Sequence, residues 1–280
     1  MSLPEFAAWD RLSPHAQQHV LETSGAAVSF TLLGPFRMRA EGRDVGPTTP
    51  KLRQMLAVFL LRNGEMTPIE LIKSELWPQG PPDSAQSTVQ NYVYQLRSVL
   101  RQAGVARPEE TLSTTQRLGY TLFVQPPNID LHRFRTGYGD ARFLMGQGRF
   151  AEAAAELRSA LALWSGPPLS GVRCGPFLSG AEICLQELRR NARILRVQAT
   201  IEAGHLVGAA DELIAELRSL IAADPLDEVV HAQLIRVLHH TGRHADALRA
   251  YHTLQVDLDQ ELGLKPGAEL RGLYRELTMR

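Results

Sequence analysis

The spacing of hydrophobic residues divides the chain into three stretches. Residues 1–27 have a weak amphipathic pattern, residues 28–125 begin with alternating apolar and polar positions, and residues 126–280 have apolar positions at three- and four-residue steps. Alternation is typical of strands that face a core on one side, and the longer step is typical of amphipathic helices. We therefore predict an N-terminal extension over 1–27, an α+β domain over 28–125 and an all-helical domain over 126–280. The extension fits either a free tail or a docked helix.

The second stretch begins with strands and continues into helices. Alternation over 28–45, interrupted by Gly-Pro and Glu-Gly turns, predicts a short antiparallel meander. A largely apolar helix is predicted over 50–63. Its start is placed at Pro50, because proline is favoured at the first position of a helix. A second, short helix is predicted over 67–76 with Thr67 as its N-cap, since a threonine hydroxyl can accept from the free backbone N–H groups there.

A third helix and a hairpin complete this stretch. Residues 86–104, "QSTVQNYVYQLRSVLRQAG", predict a helix with one buried stripe formed by Val89, Val93, Leu96 and Leu100. Asp83 is the predicted N-cap, with Gln86 as its reciprocal partner three residues later. Two strands, 111–114 and 119–124, are predicted around a tip of sequence TQRL. Strands, three helices and a hairpin in this order predict a winged helix-turn-helix with an additional N-terminal sheet.

The outward side of the third helix is polar but free of acidic residues. No Asp or Glu lies between Asp83 and Glu109, whereas surface helices usually carry acidic residues in their first turn. In a winged helix this helix enters the major groove, where Ser, Thr, Asn and Gln can bond base edges. Carboxylates would be repelled there by phosphates. We therefore interpret the helix as DNA-binding; the alternative is a core helix whose outer face is simply neutral.

The distribution of charge supports the DNA-binding interpretation. The whole chain has a formal net charge of zero, but residues 28–125 contain 11 Lys and Arg against 8 Asp and Glu, a net of +3. Cationic side chains in such a domain can contact DNA phosphates. The predicted phosphate contacts are Lys51, Arg53, Arg97, Arg101 and Arg117.

The helical stretch contains similar segments that each begin at a glycine. These segments start at Gly148, Gly204 and Gly242, and the last two glycines are 38 residues apart. That spacing is near the tetratricopeptide period of about 34 residues. A loop rich in Gly and Pro, residues 165–180, accounts for the longer first interval. We predict tetratricopeptide-like repeats whose concave surface binds proteins; the alternative is a plain helical bundle.

Motifs of common enzyme classes are absent from the sequence. It contains no phosphate-binding loop ending in Lys-Ser/Thr, no G-x-S-x-G and no H-E-x-x-H, so we predict no enzyme activity, no cofactor and no metal. His239, His240 and His244 have partial metal spacing but lack a fourth ligand. Cys174 and Cys184 form no disulfide framework, which favours a reduced cytosol. With no apolar run of about 18 residues and no secretory signal, we expect a cytoplasmic, nucleoid-associated protein.

Residues 28–280 resemble the Streptomyces antibiotic regulatory proteins, which combine an OmpR-like winged helix with a bacterial transcriptional activation domain. Each matching block alone is only suggestive, but the blocks occur in the family's order over most of the chain. They are "LLGPFRMRAEGRDV" (32–45), "PKLRQMLAVFLLRNG" (50–64), "ELWPQGPP" (75–82), "TVQNYVYQLRSVL" (88–100), "GYTL" (119–122), "ALALWSGPPL" (160–169) and "DQELGLKPGAELRGLYREL" (259–277).

The resemblance implies a transcriptional activator of a secondary-metabolite gene cluster. Family members bind short direct repeats of double-stranded DNA near the −35 element, side by side as a dimer, and recruit RNA polymerase. The recognition-helix positions correspond here to Ser87, Thr88, Asn91, Tyr94, Gln95 and Ser98. The loop that faces the polymerase sigma subunit in OmpR-like proteins corresponds to 77–83, with Trp77, Gln79, Gly80 and Asp83 as its candidate residues.

Two other functions fit the same domains. A scaffold would use the repeats and the winged domain to bind only proteins, and it would show no salt-dependent shift of duplex DNA. A repressor would make the same DNA contacts without recruiting polymerase.

Overall fold

The computed structural model describes residues 28–115, 118–206 and 208–279. These residues form two compact units. The first contains the described residues up to Arg133 together with Trp164–Gln186, and the second contains Phe134–Leu163 and the described residues from Glu187 onward. The predicted extension, 1–27, lies outside the described residues. The predicted order of a winged-helix region followed by a helical region is confirmed.

The first unit begins with the predicted meander. Strands β1 (Ser29–Thr31), β2 (Arg37–Ala40) and β3 (Arg43–Asp44) form an antiparallel sheet in that order. Phe30 pairs with Met38, and both side chains are buried, which fits the alternating pattern of the sequence. One face of this small sheet therefore belongs to the core.

Helices and a second sheet make up the winged part of the first unit. The elements are α1 (Pro50–Leu61), β4 (Met66–Pro68), α2 (Ile69–Leu76), α3 (Ala85–Gln102), α4 (Pro108–Thr111), β5 (Leu112–Thr115) and β6 (Gly119–Leu122). The second sheet is antiparallel with the order β4-β6-β5. The three predicted helices and the hairpin are present; β4 and α4 were not predicted.

Both predicted N-caps in this unit are wrong. Thr67 lies in β4 opposite Tyr120, so its backbone belongs to the sheet and Pro68 is the N-cap of α2. Strand pairing with a distant segment decides this position, and a cap preference acts only locally. At α3 the N-cap is Ser84 instead of Asp83, and it makes no side-chain capping bond.

A glycine permits the close approach of β4 to β6. Gly119 pairs with Pro68, and a Cβ atom at position 119 would lie 2.3 Å from the carbonyl oxygen of Thr67. Only a residue without a side chain fits such a contact. The glycine of the "GYTL" block therefore holds the wing against the strand that precedes α2.

The Gly- and Pro-rich loop within 164–186 packs on the N-terminal sheet region. The backbone N–H groups of Ser165 and Leu169 donate to the carbonyl oxygens of Leu33 and Leu32, both at 2.9 Å. The N-terminal segment also donates to the loop, because Phe36 N–H binds the carbonyl oxygen of Ser170 at 2.9 Å. The sequence marked this segment as an insertion, and in the structure it is part of the first unit.

A buried aspartate fixes the chain where β1 ends. The carboxylate of Asp130 accepts from the N–H groups of Leu32, at 2.8 and 3.0 Å, of Leu33 at 3.0 Å and of Leu131 at 2.8 Å. Burial raises the pKa of Asp130, and these N–H groups, with the charge of Arg133, act in the opposite direction. The carboxylate is 3% exposed, so its bonds are shielded from water.

The second unit is built from helices. The helices of this region are α5 (Asp130–Gly146), α6 (Phe150–Leu161), α7 (Pro176–Glu202), α8 (Ala210–Ala223), α9 (Glu228–His240), α10 (His244–Leu262) and α11 (Ala268–Thr278). The first residues of α5 and α7 belong to the first unit. Among the described residues, no helix has both the length and the hydrophobicity needed to cross a membrane.

The repeat glycines occupy equivalent turns. Gly148, Gly204 and Gly242 have φ values of 72°, 69° and 75°, which favour glycine. At each turn the next residue's N–H donates to a carbonyl five residues earlier, with distances of 3.0, 3.2 and 2.8 Å respectively. This is the Schellman arrangement that ends helices. The predicted helix-turn-helix repetition is therefore present.

We expect Asp130→Ala to destabilise the first unit by about 2–4 kcal/mol, because three backbone N–H groups lose a buried acceptor. Asp130→Asn should cost less, since one oxygen is retained. The measurement is chemical denaturation followed by the fluorescence of Trp77 and Trp164 in a Trp9→Phe background. Asp44→Ala is the control, because among the described residues that exposed carboxylate accepts only from Gly46 N–H. Equal losses for Asp44→Ala and Asp130→Ala would contradict the prediction.

Candidate nucleic-acid interface

Helix α3 has one buried side and one polar, exposed side. Its buried residues include the whole predicted stripe, Val89, Val93, Leu96 and Leu100, each at most 2% exposed. The opposite side carries Asn91, which is exposed, and Tyr94, which is 70% exposed. An exposed aromatic ring of this size on a helix without carboxylates offers both an apolar face and a hydroxyl to a partner.

The other predicted recognition residues either donate a hydrogen bond within the helix or are half-buried. The hydroxyl groups of Ser87 and Thr88 both donate to the carbonyl oxygen of Ser84 at 2.9 Å. Each hydroxyl oxygen can still accept a hydrogen bond from a base or a bridging water. Gln95 and Ser98 are half-buried. The structure thus brings the predicted set together on α3, with Ser87, Asn91 and Tyr94 as its exposed members.

Two exposed residues of this face were not predicted. Gln90 and Gln102 are exposed on α3 and extend the uncharged polar surface. Gln102 continues the steps of three and four residues through Asn91, Tyr94 and Ser98. The periodicity of the sequence was therefore sufficient to identify Gln102.

Arg97 connects the candidate recognition helix to the wing. Its Nε and Nη2 atoms donate to the carbonyl oxygen of Leu112 at 2.9 and 2.7 Å, and Nη2 also donates to Thr114 Oγ1 at 3.1 Å. These bonds hold β5 against α3. Arg97 was predicted as a phosphate contact, and in the structure its guanidinium already has internal acceptors.

Two more predicted phosphate contacts also have partners within the first unit. The Lys51 amine donates to the carbonyl oxygen of Leu76 and lies 5.6 Å from the centre of the Trp77 ring. Arg53 donates to the carbonyl oxygen of Phe36 at 2.8 Å and lies over that residue's ring. Their roles toward phosphate stay predictions.

The Lys51 amine lies in a partly buried site near Arg173 and Glu75. Burial lowers the pKa of Lys51, and the neighbouring Arg173 lowers it further, whereas Glu75 raises it. A cation that bonds a carbonyl at the end of α2 also neutralises the partial negative charge of that helix end. The side chain therefore stabilises α2 independently of DNA.

The remaining two predicted phosphate contacts are Arg101 and Arg117. Arg101 is exposed and forms an ion pair with Glu109, so its charge is partly compensated but remains accessible. An exposed pair of this kind is worth little and can exchange for a phosphate. Arg117, at the tip of the hairpin, lies outside the described residues.

The loop between α2 and α3 is exposed and anchored at one end. Residues 78–83 are all exposed, and Trp77 is half-buried beneath the Lys51 amine. Gly80 has a φ of 121°, and its N–H donates to the carbonyl oxygen of Trp77 at 3.0 Å. A tight turn followed by two prolines gives the loop a defined course.

A buried carboxylate fixes the start of this loop. Glu75, 1% exposed, accepts from the N–H groups of Gly175 at 2.6 Å and Phe177 at 2.8 Å, at the N-terminus of α7. Gln54 donates to both the carbonyl and the carboxylate of Glu75, at 2.8 and 3.1 Å. The sequence did not reveal this role, because a Glu in an amphipathic helix is usually exposed.

Two family models match adjacent parts of the chain. The model described as "Transcriptional regulatory protein, C terminal" matches residues 43–122, and that of the "Bacterial transcriptional activator domain" matches residues 129–278. The chain is also 32% identical over 253 residues to the regulatory protein DnrI of Streptomyces peucetius, covering 89% of this chain and 92% of DnrI. The chain belongs to the Streptomyces antibiotic regulatory protein family.

Other members of this regulatory family are similar over the same region. The transcriptional regulatory protein EmbR of Mycobacterium tuberculosis is 32% identical over 250 residues, which are 89% of this chain and 63% of EmbR. A solved structure of EmbR in complex with a low affinity phosphopeptide has a TM-score of 0.83 and 31% identity, covering 90% of this chain and 65% of that one. The chain thus spans less than two thirds of the length of EmbR.

We expect Arg97→Ala to destabilise the first unit by about 1–2 kcal/mol, because the carbonyl of Leu112 loses a charged donor. Amide hydrogen exchange should become faster in β5. The control is Arg101→Ala, on the same helix, which removes only an exposed ion pair and should change stability little. The same exchange rates in β5 for Arg97→Ala and for the unaltered chain would contradict this positioning role.

Proposed function

We propose that the chain is a sequence-specific, double-stranded DNA-binding activator of transcription, dedicated to a secondary-metabolite gene cluster. The observation that carries the proposal is the outward side of α3, which is exposed, rich in hydrogen-bonding groups and free of carboxylates over the whole helix. Uncharged polar side chains suit base edges, and the absence of acid avoids repulsion by phosphates. Family membership supports the same function.

The proposed target is a pair of direct repeats near a promoter's −35 element, bound side by side by two copies of the chain. Direct repeats place successive copies in the same orientation, so each α3 enters the major groove in an equivalent way. Ser87, Thr88, Asn91, Tyr94, Gln95 and Ser98 are the proposed base-reading positions. A genome-wide binding footprint identifies the repeats.

RNA polymerase is the proposed protein partner, through its sigma subunit. The exposed loop 78–83 has a defined course, so it loses little entropy on docking. Its anchor, Glu75, is buried and fully bonded, which keeps the loop's position independent of solvent. The repeats of the second unit would offer a further protein contact.

We expect Asn91→Ala to weaken binding to the cognate repeats by about 1–3 kcal/mol, as for one lost base contact. Competition gel shifts with cognate and mutated repeats measure the effect on discrimination. Asn191→Ala is the matched control, since this exposed asparagine lies in the second unit. If Asn91→Ala leaves discrimination between the two DNAs unchanged, α3 does not read bases through this residue.

We expect a triple change in the loop, Gln79→Ala, Gly80→Asn and Asp83→Ala, to lower transcription in a purified polymerase assay. DNA affinity should stay within a factor of about two of the parent value, because these residues lie outside α3.

A matched control exists for the loop variant in another exposed turn of the first unit. Glu41→Ala, Gly42→Asn and Asp44→Ala alter similar residue types, and both glycines have positive φ and open space where a Cβ would lie. The control should leave transcription at the parent level. Parent-level transcription by the loop variant as well would make the loop a simple connector.

A further inference from the structure

A cavity of about 200 Å³ lies within the second unit. It is lined by the C-terminal part of α7, by α9 and by α11, all from residues after Glu187. Since a water molecule occupies about 30 Å³ in the liquid, the space holds roughly six waters. Pockets for drug-sized ligands are larger, about 300–1,000 Å³. The cavity therefore suits a single side chain or a very small molecule.

The charged groups of the lining favour a cation. Glu202 and Glu276 line the cavity, and neither forms a salt bridge within the described part of the chain. Arg236, the single arginine of the lining, is already paired with Glu269 at 2.8 Å. The carboxylates of Glu202 and Glu276 are therefore uncompensated, and an anion would meet both of them.

A buried amide of the lining lacks a hydrogen-bond donor. Gln233 is 4% exposed, and its Oε1 atom has no hydrogen-bond partner among the described residues. A buried acceptor without a donor costs free energy, because its bond to water is lost without replacement. A ligand that brings N–H donors into the cavity would satisfy this carbonyl.

The rest of the lining is aliphatic. Ile201, Leu273 and Leu277 contribute to the cavity wall and are themselves only partly buried against the core of the unit. They offer contact to a short hydrocarbon chain, whose transfer from water is favourable. The cavity thus combines an apolar wall, an acceptor that lacks a donor and two unpaired carboxylates.

We propose that this cavity binds an alkylammonium or alkylguanidinium group, inserted with its hydrocarbon part against the aliphatic wall. The charged head lies near Glu202 and Glu276 and donates to Gln233. Such a group occurs on the lysine or arginine side chain of a partner protein and on free aliphatic amines. The lining contains no residue of the proposed DNA-binding surface, so the proposal does not depend on DNA binding.

Calorimetric titration of the full chain with n-butylguanidinium and n-butylammonium tests the site. Saturable binding with a dissociation constant on the order of 1 mM is expected for ligands of this size. Neutral n-butanol and anionic butyrate have the same apolar part and should bind at least about tenfold more weakly, since they cannot pair with the carboxylates. Equal binding of butyrate or butanol, or no cation binding at all, would overturn the proposal.

Variants connect the binding to the named residues. Glu202→Gln with Glu276→Gln should weaken cation binding about tenfold, as expected for two exposed charges. Glu261→Gln, an exposed glutamate of α10 outside the cavity lining, should leave it unchanged. Gln233→Leu should abolish binding without lowering the melting temperature of the ligand-free protein, because it removes an acceptor that has no donor. Unchanged affinity in the double variant would overturn the assignment.

Two further ligands identify the source of the cation. One is a capped peptide with a single arginine, and the other is free spermidine. Tighter binding of the peptide assigns the cavity to a partner's side chain, and tighter binding of spermidine assigns it to a diffusible amine. If neither binds while the small probes do, the cavity recognises neither source and the proposal fails.

Discussion

Buried carboxylates that accept from backbone N–H groups of distant segments hold the first unit together. Asp130 binds the end of β1, 98 residues away for Leu32, and Glu75 binds the N-terminus of α7, 100 residues away for Gly175. These backbone groups are shielded from water, so each would be costly without an acceptor. The two carboxylates therefore determine where the loop of 164–186 and the loop after α2 can lie.

Several cations of the first unit also form internal hydrogen bonds, which limits their availability to phosphate. Lys51, Arg53 and Arg97 donate to backbone carbonyls, so they stabilise α2, the N-terminal strands and the wing. A cation with satisfied internal bonds must leave them, or share them, to bind phosphate. Most exposed residues of α3 are uncharged and polar, and Arg101 is an exposed cation near its end. Uncharged polar side chains suit base edges in the proposed DNA complex.

The second unit combines a repeated glycine turn between helices with a few buried polar residues. Three glycine turns of the same geometry bring successive helices into contact, and the core between α8, α9 and α10 is apolar. Gln233, like Arg196, Thr200 and His231, is a buried polar residue of this unit, and it also lines the cavity. Polar groups of this kind in an otherwise packed helical unit are expected at binding sites.

The sequence by itself determined helices α1, α2 and α3, the buried stripe of α3 and the glycine turns, because each depends on contacts between residues a few positions apart. It also identified most of the polar face of α3. It failed at Thr67 and Asp83, did not reveal β4, and did not assign Glu75, Asp130 or Arg97 their bonds. Those outcomes depend on which distant segment supplies a donor, acceptor or strand partner, and only the tertiary structure decides that.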